Sequence, residues 1–264
     1  MYDFIYHSPK NVADAAKVLS GKEDGKLMAG GMTLIPTLKQ RLAKPSDVID
    51  LGRIAELKGI KREGNTVVIG AMTRHIDVAT SDVVKSAIPA VAQLASMIGD
   101  PAVRNRGTIG GSIANNDPAA DYPSSVLALN ATLTTNKRKI AGDDFFKGMF
   151  ETALEDGEII TSVTYPLVEK AAYTKFRNPA SRYAIVGVFV AKSKEGVRVA
   201  VTGAGPCVFR VPAMEAALAK SFTPEAIKDI TIDADGLNSD IHASAEYRAH
   251  LVGVMARRAV TAAG

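Results

Sequence analysis

Two pairs of adjacent glycines, the first set just before a segment with helical spacing and the second within a polar stretch, constrain this chain more than any other feature. The first pair lies in KLMAGGMTLIP (Lys26 to Pro36) and the second in RNRGTIGGSIANNDPAAD (Arg104 to Asp121). Glycine has no Cβ, so its backbone can adopt positive φ and a ligand can approach closely. Thr33 follows the first pair, and Thr108 and Ser112 flank the second. A hydroxyl there can cap a helix start, and the first N–H groups of a helix suit a phosphate. Either pair alone also fits a plain tight turn. Together they fit the two phosphates of one dinucleotide. Asn115, Asn116, Asp117 and Asp121 follow, and a carboxylate among them suits a sugar hydroxyl. Neither loop reads GxxxxGK[ST] or GxGxxG, which excludes the common nucleotidase and Rossmann sites. The chemistry points to a pyrophosphate-bearing cofactor on another fold.

The surrounding pattern is mixed. NVADAAKVLSG predicts a helix with Asn11 as its cap and Gly21 as its stop. KLMAG predicts a short buried strand, and TLIPTLKQRLA a helix carrying Leu34, Leu38 and Leu42 on one stripe, capped by Thr33. DVIDL, GIKREG and NTVVIGAM give strand and hairpin signals, and VVKSAIPAVAQLASMIG predicts one helix of about four turns. Residues 104–121 read as a glycine- and asparagine-rich loop, followed by a short helix (SSVLAL) and a strand (ATLTT). GDDFFKGMFETAL reads as a helical or loop segment and EIITSVTYP as a strand. The last third differs. AYTKFRN, RYAIVGVFVAKS and VRVAVTGAG form a three-stranded meander, and helices follow at VPAMEAALAK, TPEAIKDI and SAEYRAHLVGVMARRAV. Strands followed by segregated helices indicate an α+β unit.

Composition narrows the function. The chain has 264 residues, enough for one large core or two smaller ones, and no apolar run long enough for a membrane span. MYDFIYHSPK lacks the layout of a secretory signal, so the expected location is cytoplasmic, with a peripheral place at the inner membrane face left open. Net charge is +4 with the cations scattered, and there is no Trp and no interleaved basic–aromatic stripe, which argues against nucleic acid. Lys137-Arg138-Lys139 reads as a hairpin tip. The single Cys207 precludes an internal disulfide and a cysteine-built metal cluster, and reads as a small buried hydrophobe. The four histidines show no metal-ligand spacing. No acid–base pair or nucleophile elbow marks a catalytic residue, which fits a protein that leaves the chemistry to a cofactor.

AGGMTL, TIGGSIANNDPAADYP, EIITSVTYP and YTKFRNPASRYAIVGVFVA together resemble the FAD-binding medium subunit of the molybdenum hydroxylases, a family that includes aerobic carbon monoxide dehydrogenase and xanthine dehydrogenase. The resemblance spans nearly the whole chain. It implies a two-subdomain FAD-binding fold of the vanillyl-alcohol-oxidase (PCMH) type in residues 1–172, divided at about 55, and a C-terminal α+β domain in 173–264. The first pyrophosphate motif falls on Ala29, Gly30, Gly31, Met32 and Thr33, flanked by Leu27, Met28 and Leu34. Met32 stands where the family often has His, and Thr33 where Ser is common. The second motif falls on Thr108, Ile109, Gly110, Gly111 and Ser112, with Asp121 expected on the sugar chain of FAD. Ile160, Lys175 and Tyr183 are expected near the flavin ring. Arg182 replaces an Asp that many members carry before that Tyr.

The resemblance further implies an electron-transfer role. A large subunit would hold the molybdenum cofactor, a small subunit two [2Fe-2S] clusters, and quinone or NAD would be the acceptor, in a dimer of heterotrimers. Clusters need about four cysteines each, so they cannot sit in this chain. FRNPASRYAIVGV favours the carbon-monoxide-dehydrogenase-like branch. Two rivals stand beside this reading: a free-standing FAD-dependent reductase or oxidase of the same fold, and a non-enzymatic nucleotide-binding assembly module.

Overall fold

The computed structural model describes residues 1–264. Three layered units follow one another along the chain. The first opens with β1 (Ile5–His7), α1 (Val12–Ser20), β2 (Lys26–Met28), α2 (Leu34–Lys39) and β3 (Asp47–Asp50). Its strands are all parallel in the order β1-β3-β2. The helix-to-strand crossovers that parallel pairing demands are supplied by α1 and α2. Asn11 caps α1 by accepting from the Asp14 N–H at 2.8 Å. A small core of Ala15, Ile49, Leu51, Ile54, Leu57, Met72 and Ile159 fills this unit. As an edge strand, β2 is half-buried rather than buried.

The second unit is an antiparallel sheet in the order β4-β5-β10-β6-β7 with helices packed on it. Its elements are β4 (Ile60–Glu63), β5 (Thr66–Gly70), α3 (His75–Thr80), α4 (Asp82–Ala87), α5 (Pro89–Ser96), α6 (Pro101–Arg106), α7 (Ile109–Asn115), α8 (Tyr122–Ala128), β6 (Thr132–Thr135), β7 (Lys139–Ala141), α9 (Gly142–Phe145), the short hairpin of β8 (Phe146–Gly148) and β9 (Glu151–Thr152), and β10 (Ile160–Pro166). Lys137-Arg138-Lys139 does lie at the β6–β7 turn, but Arg138 is not free. Its guanidinium grips Glu158 at 3.0 and 3.1 Å, which holds that carboxyl down at about 2.

The third unit is the antiparallel sheet β11 (Lys170–Arg177), β12 (Ala184–Ser193), β13 (Gly196–Thr202) and β14 (Phe209–Arg210), with α10 (Pro212–Lys220) and α11 (Ala245–Ala263). The meander thus gains a fourth, two-residue strand. Strand β12 is buried on both faces from Ala184 to Ala191, which explains its unbroken apolar run. Val186, Val188 and Val190 face the helices α10 and α11, while Phe189 and Ala191 join the core of the second unit.

Several expected elements come out differently, each for a local reason. The single helix over 83–99 is two, because Pro89 lacks an N–H and pushes Ile88 out of the helical region, to φ −142° and ψ 64°. Helix α2 stops at Lys39 and Arg41 turns left-handed at φ 61°, which leaves Leu42 74% exposed and off the stripe. The Thr33 hydroxyl makes no capping bond. TPEAIKDI forms only a 3-10 turn at Pro224–Ile227. The stretch 104–121 is largely helical, and its second glycine pair opens α7 instead of lying in a loop.

Candidate cofactor site

The two glycine motifs meet. A Cβ on Gly30 would collide with the carbonyl oxygen of Arg106 and stand 2.7 Å from its carbon and 2.8 Å from the Cα of Gly107. On the other side of the seam, a Cβ on Gly111 would come 3.0 Å from the Cβ of Ala29. Two segments about 80 residues apart in sequence therefore form one surface, and the missing Cβ atoms are what let them touch. Gly31 has φ 73°, the left-handed conformation that glycine tolerates best.

The structure divides the labour between the pairs. No acceptor within the chain reaches the N–H groups of Gly30, Gly31, Met32, Thr33 or Leu34. A left-handed residue among unpaired N–H groups is the backbone setting of an anion nest. In the second motif the N–H groups from Ile109 to Ser112 are already engaged. Ile109 donates to Thr73 O at 3.1 Å, Gly110 to Ala71 O at 2.8 Å, Gly111 to Thr108 Oγ1 at 3.2 Å and Ser112 to Thr108 O at 3.0 Å. The two bends therefore differ in what they present. The first supplies donors, and the second supplies a glycine-floored wall with the Ser112 hydroxyl. Ala71 also donates to Thr161 O at 2.9 Å, which ties this wall to the start of β10 beside the buried Ile160.

Asp121 and Lys175 are brought together, and both are buried. The Lys175 ammonium lies 3.0 and 3.1 Å from the two Asp121 oxygens, and the Tyr173 hydroxyl donates to Oδ1. Burial pushes the Asp121 carboxyl up, with Lys175 and Tyr173 pulling against it, and raises the Tyr173 phenol well above its ordinary range. The main chain leading to Asp121 is pinned to the third unit: Thr202 Oγ1 donates to Ala120 O at 2.6 Å, and Gly203 N to Pro118 O at 2.8 Å. Tyr183 stands apart from this pair, half-exposed beside a cavity of about 530 Å³ that Asp117, Met149, Phe150, Asp240 and Arg248 also line. Cys207 is half-buried, with Asn116 Nδ2 at 3.5 Å from its sulfur.

Sequence reasoning missed four residues around this site: Tyr173, Gly187, Arg248 and His75. A signal existed for two of them. Gly187 interrupts an apolar strand, which marks a close approach, and Arg248 sits in register with the buried stripe Leu251, Val252 and Met255. His75 lies beneath the second motif, donating its backbone N–H to Gly107 O at 3.0 Å, with its ring 5.4 Å from that of Tyr122. Burial, with Arg104 adding to it, lowers its pKa from 6.5 to about 4. Its folded value lies below its unfolded one, so its contribution is intact above pH 6.5 and is lost as pH falls towards 4, a loss of about 3 kcal/mol. Replacing His75 by Phe should therefore flatten the fall in urea midpoint between those pH values. Equal slopes for the two proteins would contradict a buried neutral imidazole.

Comparison with known proteins finds relatives over nearly the whole chain. Residues 2–168 match the family model described as the FAD binding domain in molybdopterin dehydrogenase, and residues 171–263 that of the CO dehydrogenase flavoprotein C-terminal domain. The chain is 37% identical to the carbon monoxide dehydrogenase medium chain of Hydrogenophaga pseudoflava, over 98% of this chain and 96% of that one. It is 38% identical to the nicotine 6-hydroxylase medium subunit of Paenarthrobacter nicotinovorans, over 98% and 96%. A solved structure of the Hydrogenophaga pseudoflava carbon monoxide dehydrogenase superposes with a TM-score of 0.91 at 38% identity, covering 99% of this chain and 97% of that one. The expected fold class, a FAD-binding part followed by a C-terminal α+β part, is the one observed. No helix is long and apolar enough to cross a membrane. With both halves matched and the two glycine motifs joined in one cradle, the chain belongs to the family of FAD-binding medium subunits of the molybdenum hydroxylases.

Proposed function

We propose that this chain is the electron-transferring flavoprotein subunit of a molybdenum hydroxylase, working between a small subunit with two [2Fe-2S] clusters and an outside acceptor, quinone or NAD. The observation that carries the reading is the seam where Gly30 rests on Arg106 and Gly107, with five unpaired N–H groups beside it. Those donors would hold the negative charge of the FAD diphosphate, and Gly110, Gly111 and Ser112 would form the opposing wall. Asp121 would hold the sugar chain, with Ile160, Lys175 and Tyr183 around the ring. Bound FAD supplies the exchange between single-electron and paired-electron transfer. This chain's part is to bind it, orient it and fix the charges near it, and the chain offers no catalytic residue of its own. The division into residues 1–172 and 173–264 follows the same reading, as does assembly into a dimer of heterotrimers in the cytoplasm.

The substrate would be oxidised at the molybdenum cofactor of a large subunit. Relatives named for carbon monoxide and for nicotine match this chain almost end to end, so the medium subunit's form is not what distinguishes those substrates. The wording of 176–188 and the carbon monoxide dehydrogenase matches favour that branch. Affinity purification of the tagged chain from its native cells should yield yellow protein with one FAD per chain and two companion subunits, one carrying iron and sulfide and one carrying molybdenum. A lone chain that oxidises NADPH or an alcohol at full rate would refute the assignment.

A further inference from the structure

We propose that Tyr173 is a positioning residue of the cofactor site, acting through Asp121, and that Gly187 exists to make room for it. The inference rests on the reading that Asp121 faces the sugar chain of FAD. Tyr173 is 1% exposed in β11, its ring stacked on Phe189 at 6.1 Å between centroids. The buried ring carries its hydroxyl to Asp121 Oδ1. Gly187 lies directly across the β11–β12 ladder from Lys175. A Cβ on it would collide with the Tyr173 hydroxyl and come within 3.0 Å of Tyr173 Cε2 and of Thr202 Cγ2. The glycine thus interrupts the apolar run of β12 at the point where the phenol must pass.

The main chain of Pro118 and Ala120 is held by Thr202 and Gly203, but only Tyr173 and Lys175 hold the carboxylate itself. Lys175 supplies charge on a flexible stem, while Tyr173 supplies a fixed direction. An ionised carboxylate offers about four acceptor positions. Tyr173 takes one on Oδ1 and the Lys175 hydrogen bond takes one on Oδ2, which leaves one position on each oxygen open to a sugar hydroxyl. Without the phenol, Oδ1 keeps only the ammonium at 3.0 Å beside it, and the remaining acceptor positions are no longer held in a fixed direction.

FAD titration of the full-length apoprotein, followed by flavin fluorescence, tests this. Tyr173→Phe should weaken binding roughly tenfold, the scale expected for a lost hydrogen bond to a charged group. Gly187→Ala should act in the same direction, and by less in the Tyr173→Phe background because the hydroxyl it strikes is gone. In an Asp121→Ala background, Tyr173→Phe should cost less than about twofold more, since its effect runs through that carboxylate. A purely structural role would instead give independent, multiplying losses. Should Asp121→Ala not fold, the Gly187→Ala and Tyr173→Phe pair decides by the same criterion. Unchanged affinity in Tyr173→Phe, or multiplying effects, overturns the proposal alone. A wild-type chain that takes up no FAD overturns the functional reading and this inference together.

Discussion

Gly30→Ala is expected to give a folded, colourless protein. A single methyl has that effect because everything it would meet is main chain: the carbonyl of Arg106 and the Cα of Gly107, at 2.7 and 2.8 Å for the carbons. No rotamer change can relieve such a clash. Ordinary carbon–carbon contact lies near 3.5–4.0 Å, so the bend must withdraw by about 1 Å. The withdrawal opens the seam between the two motifs and moves the unpaired N–H groups of Gly30 to Leu34 away from the wall at Gly111. An anion held by several donors at once loses most of them together. A weakening of more than 100-fold, about 3 kcal/mol, would strip flavin during gel filtration. The neighbouring positions set the scale. Gly31→Ala places a side chain at φ 73°, which costs about 1–2 kcal/mol, so partial flavin loss is expected. Met32 is 37% exposed, and Met32→Ala should keep its colour. The check is the ratio of flavin to protein absorbance beside circular dichroism of each variant. A full complement of flavin in Gly30→Ala would show that the seam is not where the diphosphate lies.

This cradle was half legible in the sequence. Glycine pairs beside hydroxyl residues announce close backbone approach, but the identity of what approaches depends on partners far along the chain. Gly30 needs its bare Cα for Arg106 and Gly110 for Ala71, contacts that no local pattern encodes. For the same reason the engagement of the Ile109 and Gly110 N–H groups was invisible, since their acceptors Thr73 and Ala71 lie more than 35 residues upstream. Strand β12 and the stripe on α11 were legible because burial imposes a period on each. The break at Pro89 was legible too, and a helical period on both sides of it masked the rule. Asp121 stood out as a carboxylate in a promising loop, whereas Tyr173, more than 50 residues on, read as an ordinary member of a strand, and Lys175 was singled out only by the family resemblance, until the sheet placed both against that carboxylate.

Arg248→Met is expected to cost about 4 kcal/mol of stability and to loosen the cofactor site from behind. The guanidinium is 4% exposed and donates from Nη1 to Ile185 O at 2.7 Å and Gly203 O at 3.1 Å, and from Nη2 to Asp240 at 2.7 Å. Methionine keeps much of the volume but none of the donors. Two buried carbonyls then lose their partner, at roughly 1–3 kcal/mol each. Asp240 is nearly half-exposed, so water can satisfy it and it adds little. Against a total stability of about 5–15 kcal/mol, the loss is large. It is also directed, because Gly203 sits at φ 83° and donates to Pro118 O, on the segment that leads to Asp121. Freed from Arg248, that end of β13 no longer fixes Pro118, so flavin should dissociate at a lower urea concentration than the one that unfolds the protein. In the wild type the two events should coincide. Arg248→Lys restores one donor direction but not the fork and should fall between the two. Urea titrations followed by flavin fluorescence and by circular dichroism measure both midpoints. A loss below about 1 kcal/mol, the range of an ordinary surface substitution, would mean that the guanidinium holds neither strand end.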